Sequence, residues 1–292
     1  MLVLFFICFI INLITCVAIL PDITDDDPTR ICGLTNYTFY NHTPFSYLTN
    51  ESDLCYGDVY LVTYVQSSCY NFDQRKLIRE TWGSLRNVFN EPIRLLFVVG
   101  TTKDLHIQAK IVEEIKNYRD IIQANFIDTY QNLTLKHIVA LDWINRFCSH
   151  ARFVSKSDDD TFVNIFNLVE YLKEKHNPLV KSIIGLIRYN VIPMRKKGMK
   201  WTVTFDMYKK DKYPPYAIGF GYIISQSAIK PLLICSFYHK YLFIDDVFIT
   251  GLVAETANIN LIKFDRFFDN LWVKNEVLLL SDMDYIFFNG LN

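Results

Sequence analysis

Two aspartate clusters carry the chemistry this chain could do. Asp158, Asp159 and Asp160 stand in a row within ARFVSKSDDDTFVN, Ala151 to Asn164. Asp245 and Asp246 form a pair within FIDDVFITGLVAET. The first cluster follows a strand-like run of β-branched and aromatic residues, and an apolar, helix-like segment comes directly after it. A strand that ends in carboxylates and passes into a helix puts them at the carboxyl edge of a sheet, where open α/β folds bind ligands. Three adjacent like charges repel and need a compensating cation or full solvation. Hard divalent cations take oxygen ligands and are held by one or two carboxylates plus substrate phosphates. A metal–diphosphate site and a solvated acidic turn both satisfy the pattern. Asp245–Asp246 opens an apolar helix, so capping and the helix dipole compete there with a catalytic role.

The elements that must position these residues alternate. DVYLVTYVQSS, from Asp58, reads as a strand buried on both faces. Phe72 to Trp82 reads as a helix with Leu77 and Ile78 inward and Arg75 and Arg79 at i,i+4 on one face. IRLLFVVG is a second buried strand, Leu105 to Tyr118 an amphipathic helix, IIQANFID a third strand and Leu133 to Phe147 a helix. The DDD strand comes next, then a helix from Ile165 to about His176 and the strand KSIIGLI. This alternation predicts a parallel, Rossmann-like α/β sheet. After Tyr189 it weakens. PMRKKGMKWTVTFDMYKK is basic and irregular, and YPPYAIGFGYIIS joins a Pro-Pro turn to a strand with Gly219 and Gly221. Glycines inside a strand mark a bulge or a close backbone approach.

Composition narrows the class. The chain has 292 residues, enough for one or two domains. With 30 basic and 31 acidic residues it has no basic field for nucleic acid. The seven cysteines include no pair at zinc-ligand spacing. Met1 to Leu20 is apolar almost throughout and has the length of a membrane helix, with a secretory signal peptide as its rival. Acceptor sequons begin at Asn36, Asn41, Asn50 and Asn132, which agrees with entry into the secretory pathway. Residues 21–55 read as an exposed, glycosylated stem outside the fold, and 56–292 as the folded domain.

Five ordered blocks resemble the β-1,3-galactosyltransferase and β-1,3-N-acetylglucosaminyltransferase family. Arg75 to Gly83 is similar to its R-x-x-I-R-x-T-W block, and Asp128 to Asn164 to the segment leading into its metal motif. Pro193, Arg195, Lys200 and Trp201 match a P-x-R…K-W spacing. Tyr213 to Ser225 resembles Y-P-x-Y-x-x-G-x-G-Y-x-x-S, and Ile244 to Phe248 the D-D-V block. The resemblance implies a GT-A type fold, with a Rossmann-like nucleotide-sugar half and an acceptor-binding half. It implies a type II Golgi membrane protein, with Met1 to Leu20 as signal-anchor and the catalytic domain lumenal. It also implies an inverting, Mn²⁺-dependent transfer from a UDP-sugar, galactose favoured, to a glycan acceptor on glycoprotein or glycolipid. By that resemblance Asp160 and Asp158 bind the metal. Arg75, Arg79, Asp158, Asp159, Trp201, Gly219 and Gly221 surround the donor, and Asp246, with Asp245 beside it, is the base. Without the resemblance, an ordinary helix face with solvated charge is the preferred reading of Arg75 and Arg79.

Two departures accompany it. Family members often carry a metal-ligating His downstream of the D-D-V block, whereas the last histidine here is His239. The block's usual Cys is Val253, which implies one disulfide fewer. A catalytically weak relative that binds nucleotide-sugar or glycan is the reading these departures favour. A two-metal phosphohydrolase shares only the acidic clusters and lacks the further ligands it would need.

Overall fold

The computed structural model describes residues 27–35, 38–40, 42, 45–264, 267–268 and 286–289. Its strands are β1 (Tyr47–Thr49), β2 (Leu61–Gln66), β3 (Asn87–Val88), β4 (Glu91–Thr101), β5 (Ile121–Ile127), β6 (Phe153–Asp158), β7 (Thr161–Val163), β8 (Ser182–Arg188), β9 (Tyr216–Ser225), β10 (Asn260–Lys263), β11 (Phe267–Phe268) and β12 (Phe287–Asn289). Helices α1 (Pro28–Cys32), α2 (Phe72–Glu80), α3 (Leu105–Tyr118), α4 (Leu133–Phe147), α5 (Ile165–Lys175) and α6 (Gln226–Ser236) connect or flank them. A π-type helix, Val247–Val253, follows the second acid pair. The main sheet runs β1-β5-β4-β2-β6-β9-β8-β10, with β3 on β4, and β11-β12-β7 form a small second sheet.

The centre β5-β4-β2-β6 is parallel, as the alternation predicts. Every residue of β2 is buried, and its side chains alternate between two cores. Leu61 and Val65 join Phe97, Phe153 and Leu168 on one face, while Val62 and Tyr64 join Leu96, Trp143 and Val154 on the other. Beyond Tyr189, where the alternation weakens, the pairing changes: β9 runs antiparallel to both β6 and β8. Residues 190–215 form an irregular excursion in place of a crossover helix. The chain therefore re-enters the sheet from its carboxyl edge, and Ser157 of β6 pairs with Gly221 of β9.

Two expectations need correcting. Leu77 is half exposed, while Arg75 is fully buried, so α2 turns its arginine face inward. Residues 27–55 are not an external stem. Cys32 in α1 is bonded to Cys235 in α6, β1 pairs with β5, and Cys55 is bonded to Cys148. Trp143 Nε1 donates to the Asn50 carbonyl, and Phe45 is buried. A polar composition hides these few anchors. The sequon residue Asn50 is exposed, and the Asn132 amide donates to the Ile127 carbonyl at 2.8 Å. Asn36, Asn41 and the apolar run Met1 to Leu20 lie outside the described residues. Among those described, no helix is long and apolar enough to cross a membrane.

Cys69 is a buried free thiol, and Val253 packs in the core without a sulfur partner. The Cys55–Cys148 bridge spans 93 residues. Constraint of a loop that long in the unfolded chain stabilises the fold by up to about 4–5 kcal/mol on the chain-entropy account. Replacing both cysteines with Ala is expected to lower the unfolding free energy by about 2–4 kcal/mol in denaturant titrations without reductant. An unmoved midpoint would show that packing alone fixes this end of the sheet.

Candidate active site

The carboxyl ends of β2, β5 and β6 bring the first acidic cluster together with the loops beside it. Gln66 closes β2 in register with Asp158, the last residue of β6. The three consecutive aspartates then point three ways. Asp158 turns toward Lys156, whose Nζ donates both to Asp158 Oδ1 and to the Gly219 carbonyl. Asp159 accepts from Ser67 Oγ at 2.7 Å and Asn71 Nδ2 at 2.9 Å, and is thereby tied to the β2–α2 loop. Asp160 Oδ1 is buried with no hydrogen-bond partner. Burial drives the Asp158 carboxyl up to about 6 against the pull of Lys156. Burial first, and Asp159 second, raises Asp160.

Arg75 and Arg79, expected at the donor, face elsewhere. Arg75 clasps Glu114, with Nη2 at 2.6 Å from Oε2, and its Nη1 donates to Ser67 Oγ at 3.0 Å and the Ser68 carbonyl at 2.6 Å. Arg79 bonds Glu114 at 2.6 Å and makes a two-point contact with Asp120 at 2.8 Å. Neither guanidinium lines either of the two cavities beside the aspartates. A buried Arg is stable only when its planar fork is matched by carboxylates, and here Glu114 and Asp120 match it. The relay Asp120–Arg79–Glu114–Arg75–Ser67 ends on Asp159. Arg75 thus reaches Asp159 through Ser67 of the β2–α2 loop.

The second acid pair enters from the opposite side. Asp246 caps the π-type helix by accepting from Val247 N at 2.8 Å. Thr250 Oγ1 pins that helix to β9, donating to the Asp246 carbonyl at 2.6 Å and accepting from Ala217 N at 2.9 Å. A Cβ on Gly219 would come within 3.3 Å of Asp246 Oδ2, so glycine is what lets β9 pass this close. Gly221, expected at the donor, instead faces Phe287: a Cβ there would fall 2.3 Å from the ring. Its missing side chain makes room for the second sheet and not for a sugar.

Behind the pair lies a buried polar network. Asp245 Oδ2 is 3.4 Å from His137 Nδ1. Tyr64 and Tyr222 hydroxyls reach His137 Nε2 at 2.7 and 3.0 Å. Burial lowers the His137 pKa, so the ring is neutral at neutral pH. A carboxylate only accepts, so Nδ1 carries the proton and Nε2 accepts from a tyrosine. Burial raises the Asp245 carboxyl, but the His137 hydrogen bond and the Lys156 charge outweigh it and hold Asp245 below the ordinary value. Asp246 is pushed up to about 7, by burial and then by Asp245.

Two adjoining cavities open here. The larger, about 600 Å³, is lined by Lys156, Trp201, Gly219, Asp245 and Asp246 among others. The smaller, about 420 Å³, is lined by Ser67, Asn71, Asp128, Lys136 and Asp159 among others. Asp158, Asp160, Gln66, Tyr130 and Lys200 border both. Asp128 is held by Lys136 Nζ at 2.8 Å and by Gly100 N at 2.9 Å. Among the described residues no three His, Cys, Asp or Glu side chains converge to hold a metal by themselves. The buried, unpartnered Asp160 oxygen beside Asp158 fits a hard cation whose remaining ligands come from a diphosphate.

Sequence reasoning missed Lys156, His137, Tyr64, Tyr222 and Asp128. Lys156 had a signal: two residues before Asp158 on a strand, it shares that residue's face. Asp128 closes a strand at the same edge. His137 had none, being one polar residue in a helix buried from Thr134 to Ile144.

The galactosyltransferase family model matches residues 73–265. The human protein "Lactosylceramide 1,3-N-acetyl-beta-D-glucosaminyltransferase" is 37% identical over 224 residues, which cover 74% of this chain and 59% of that protein. "Beta-1,3-galactosyltransferase 5" of Gorilla gorilla gorilla is 37% identical over 202 residues, 69% of this chain and 67% of that protein. The chain thus spans between 59% and 67% of the length of these two relatives. Among solved structures, "WbbM bifunctional glycosytransferase apo structure" overlaps 72% of this chain and 39% of that one, at a TM-score of 0.37 and 11% identity.

Asp246 titrates higher in the folded chain than its ordinary 3.8, so ionising it in place costs stability as pH rises toward about 7. Asp246→Asn is therefore expected to raise the denaturation midpoint relative to wild type at about pH 8, with the difference vanishing near pH 4. A variant midpoint that falls further below wild type at pH 8 than at pH 4 would show that the Asp246 charge is stabilised, and the burial argument would fail.

Proposed function

This chain belongs to the galactosyltransferase family, and on that premise we propose that it is an inverting transferase. It moves a hexose or N-acetylhexosamine, galactose favoured, from a UDP-sugar to the 3-hydroxyl of a glycan acceptor, forming a β-1,3 linkage. The acceptor is carried on glycoprotein or glycolipid. The observation that supports this most directly is the pair of adjoining cavities. One acidic cluster borders both, while a second acid pair with a raised proton affinity at Asp246 lines only the larger.

In this reading the smaller cavity takes the nucleotide and the larger takes the sugar and acceptor. The Asp246 carboxylate accepts the proton of the acceptor hydroxyl as its oxygen bonds the anomeric carbon. The bond from that carbon to the phosphate oxygen breaks on the opposite face, and UDP leaves with the electron pair. A base titrating near neutral pH is matched to this task. Asp158 and Asp160 would hold Mn²⁺, which when bound supplies charge to neutralise the leaving diphosphate. Lys200 and Trp201, at the mouth of the larger cavity, offer a cation and a flat face to phosphate and sugar. The mixed α/β sheet is the framework of a GT-A type fold. Residues 1–20 would serve as the signal-anchor of a type II Golgi membrane protein, with Asn36, Asn41, Asn50 and Asn132 glycosylated in the lumen.

A second reading keeps donor binding without turnover. It is motivated by the lack of a histidine downstream of Asp246 in the sequence, where family members often carry a metal ligand. His137 does not supply the missing ligand, because both of its ring nitrogens face Asp245 and the two tyrosines.

UDP release from a panel of UDP-sugars with Mn²⁺, with and without glycan acceptors, separates the two. Acceptor-dependent release with one sugar is expected, and donor binding without release would establish the second reading. Asp246→Asn should lower transfer by about 10²-fold or more with donor affinity unchanged. Asp160→Ala should weaken Mn²⁺-dependent donor binding. Loss of donor affinity in a folded Asp246→Asn variant would move that residue to the donor site.

A further inference from the structure

The excursion between β8 and β9 lines the larger cavity with Lys200 and Trp201 and carries a further exposed surface beyond it. Seven of the twenty large hydrophobic residues exposed among the described residues fall between Tyr189 and Met207. Ile192 is 70% exposed, Phe205 58% and Trp201 53%, with Met194, Met199 and Met207 close behind. The excursion is not loosely held. Val203, Tyr208 and Tyr213 are buried and root it in the core. Arg195 staples its turns, donating to the carbonyls of Val203, Thr204 and Lys210 at 2.9–3.0 Å, with its guanidinium 4.1 Å from the Phe205 ring. Val203 N donates to the Met194 carbonyl at 2.8 Å, and Thr202 Oγ1 to the Lys196 carbonyl at 2.6 Å. These bonds order residues 194–205 while several of the segment's apolar side chains stay exposed. A concentration of exposed apolar side chains on one ordered segment marks a contact surface.

The charge of the same segment says what kind of contact. Residues 192–212 hold seven Lys and Arg against two Asp, in a chain whose net charge is −1. Lys196, Lys197, Lys200, Lys209, Lys210 and Lys212 are all exposed and interleave with the apolar residues. An amphipathic, Trp-bearing surface ringed by lysines is the pattern that settles at the headgroup level of an anionic bilayer. The face also continues into the larger cavity, whose rim includes Ile192, Met194, Lys200 and Trp201.

We propose that residues 192–212 dock on the surface of a bilayer bearing anionic lipid headgroups, with Trp201 and Met199 at the apolar boundary and the lysines on the headgroups. The cavity mouth then opens at the membrane surface. Its consequence for substrate, which rests on the transferase reading, is that a glycan on a lipid anchor is delivered directly to Asp246.

The test uses the full chain reconstituted in vesicles of phosphatidylcholine, with and without phosphatidylserine, with brominated chains as the quencher of tryptophan fluorescence. Quenching is expected in the phosphatidylserine vesicles and should fall sharply in Trp201→Phe. It should also fall about tenfold or more in docked population when Lys209→Ser and Lys210→Ser are combined, since each surface Lys adds about a factor of five in binding. Equal quenching in wild type and Trp201→Phe, or quenching indifferent to phosphatidylserine, would overturn the proposal. Absence of quenching beside intact transfer would assign this face to a soluble acidic partner or to the acceptor glycan. A second readout compares the Met199→Ser, Lys209→Ser, Lys210→Ser triple variant on one glycan, free and lipid-linked. Loss confined to the lipid-linked acceptor is expected, and equal loss on both would overturn the proposal. The quenching arm needs no turnover, so failure of the transferase reading leaves it standing.

Discussion

Six carboxylates line the two adjoining cavities, and the buried ammonium of Lys156 offsets three of them, Asp158, Asp245 and Asp246. Its side chain is 1% exposed, which alone would drive off its proton. Burial lowers its pKa, but Asp158, Asp245 and Asp246 together outweigh that and keep it charged. The cation holds Asp158 on one side and the Gly219 carbonyl of β9 on the other. It therefore joins the parallel half of the sheet to the antiparallel strand that brings in the second acid pair. Removing a buried charge of this sort typically costs several kcal/mol, because its partners are left uncompensated. Much else in the site is arranged around that balance.

The antiparallel β9 matters for the same reason. A helical crossover after β8 would have delivered the next strand parallel and placed its glycines at the amino edge, far from Asp158. The irregular excursion reverses the strand, so Gly219 meets the carboxyl edge where the aspartates lie. Thr250 then fixes the Asp246 helix to the same strand. One strand direction thus brings together Lys156, Gly219 and Asp246. The excursion that reverses it also forms the exposed basic and apolar face.

The acidic clusters and the parallel half of the fold were legible because both are local. Alternating buried strands and amphipathic helices advertise themselves within a dozen residues, and three aspartates at a strand end are conspicuous. What was illegible depends on distant partners. Arg75 and Arg79 look like a solvated pair until Glu114 and Asp120, some 35 to 41 residues on, fold over them. Residues 27–55 look like a stem because Cys32 finds its partner 203 residues away and β1 finds its own on β5. Gly221 and Gly219 are two residues apart on one strand, yet one clears the Phe287 ring and the other lies against the Asp246 carboxylate. The spacing between them carries no mark of that difference.

The two members of the second acid pair are adjacent in sequence but opposite in proton affinity, and their surroundings account for it. Asp245 has a proton donor, the neutral His137 ring, whose Nδ1 proton is required by the accept-only carboxylate while Nε2 accepts from a tyrosine behind it. Because burial keeps that ring uncharged, it can stabilise Asp245 as an anion without adding a cation to the cleft. The Asp245 charge is therefore retained and felt by Asp246, whose hydrogen bond from Val247 N does not offset it. Paired acids in environments that push their proton affinities apart take different roles. Here Asp245 is the fixed charge and Asp246 the group able to take up a proton near neutrality. A cation in the place of His137 would favour ionisation throughout the cleft, whereas a ring kept neutral by burial stabilises Asp245 and leaves Asp246 its raised proton affinity.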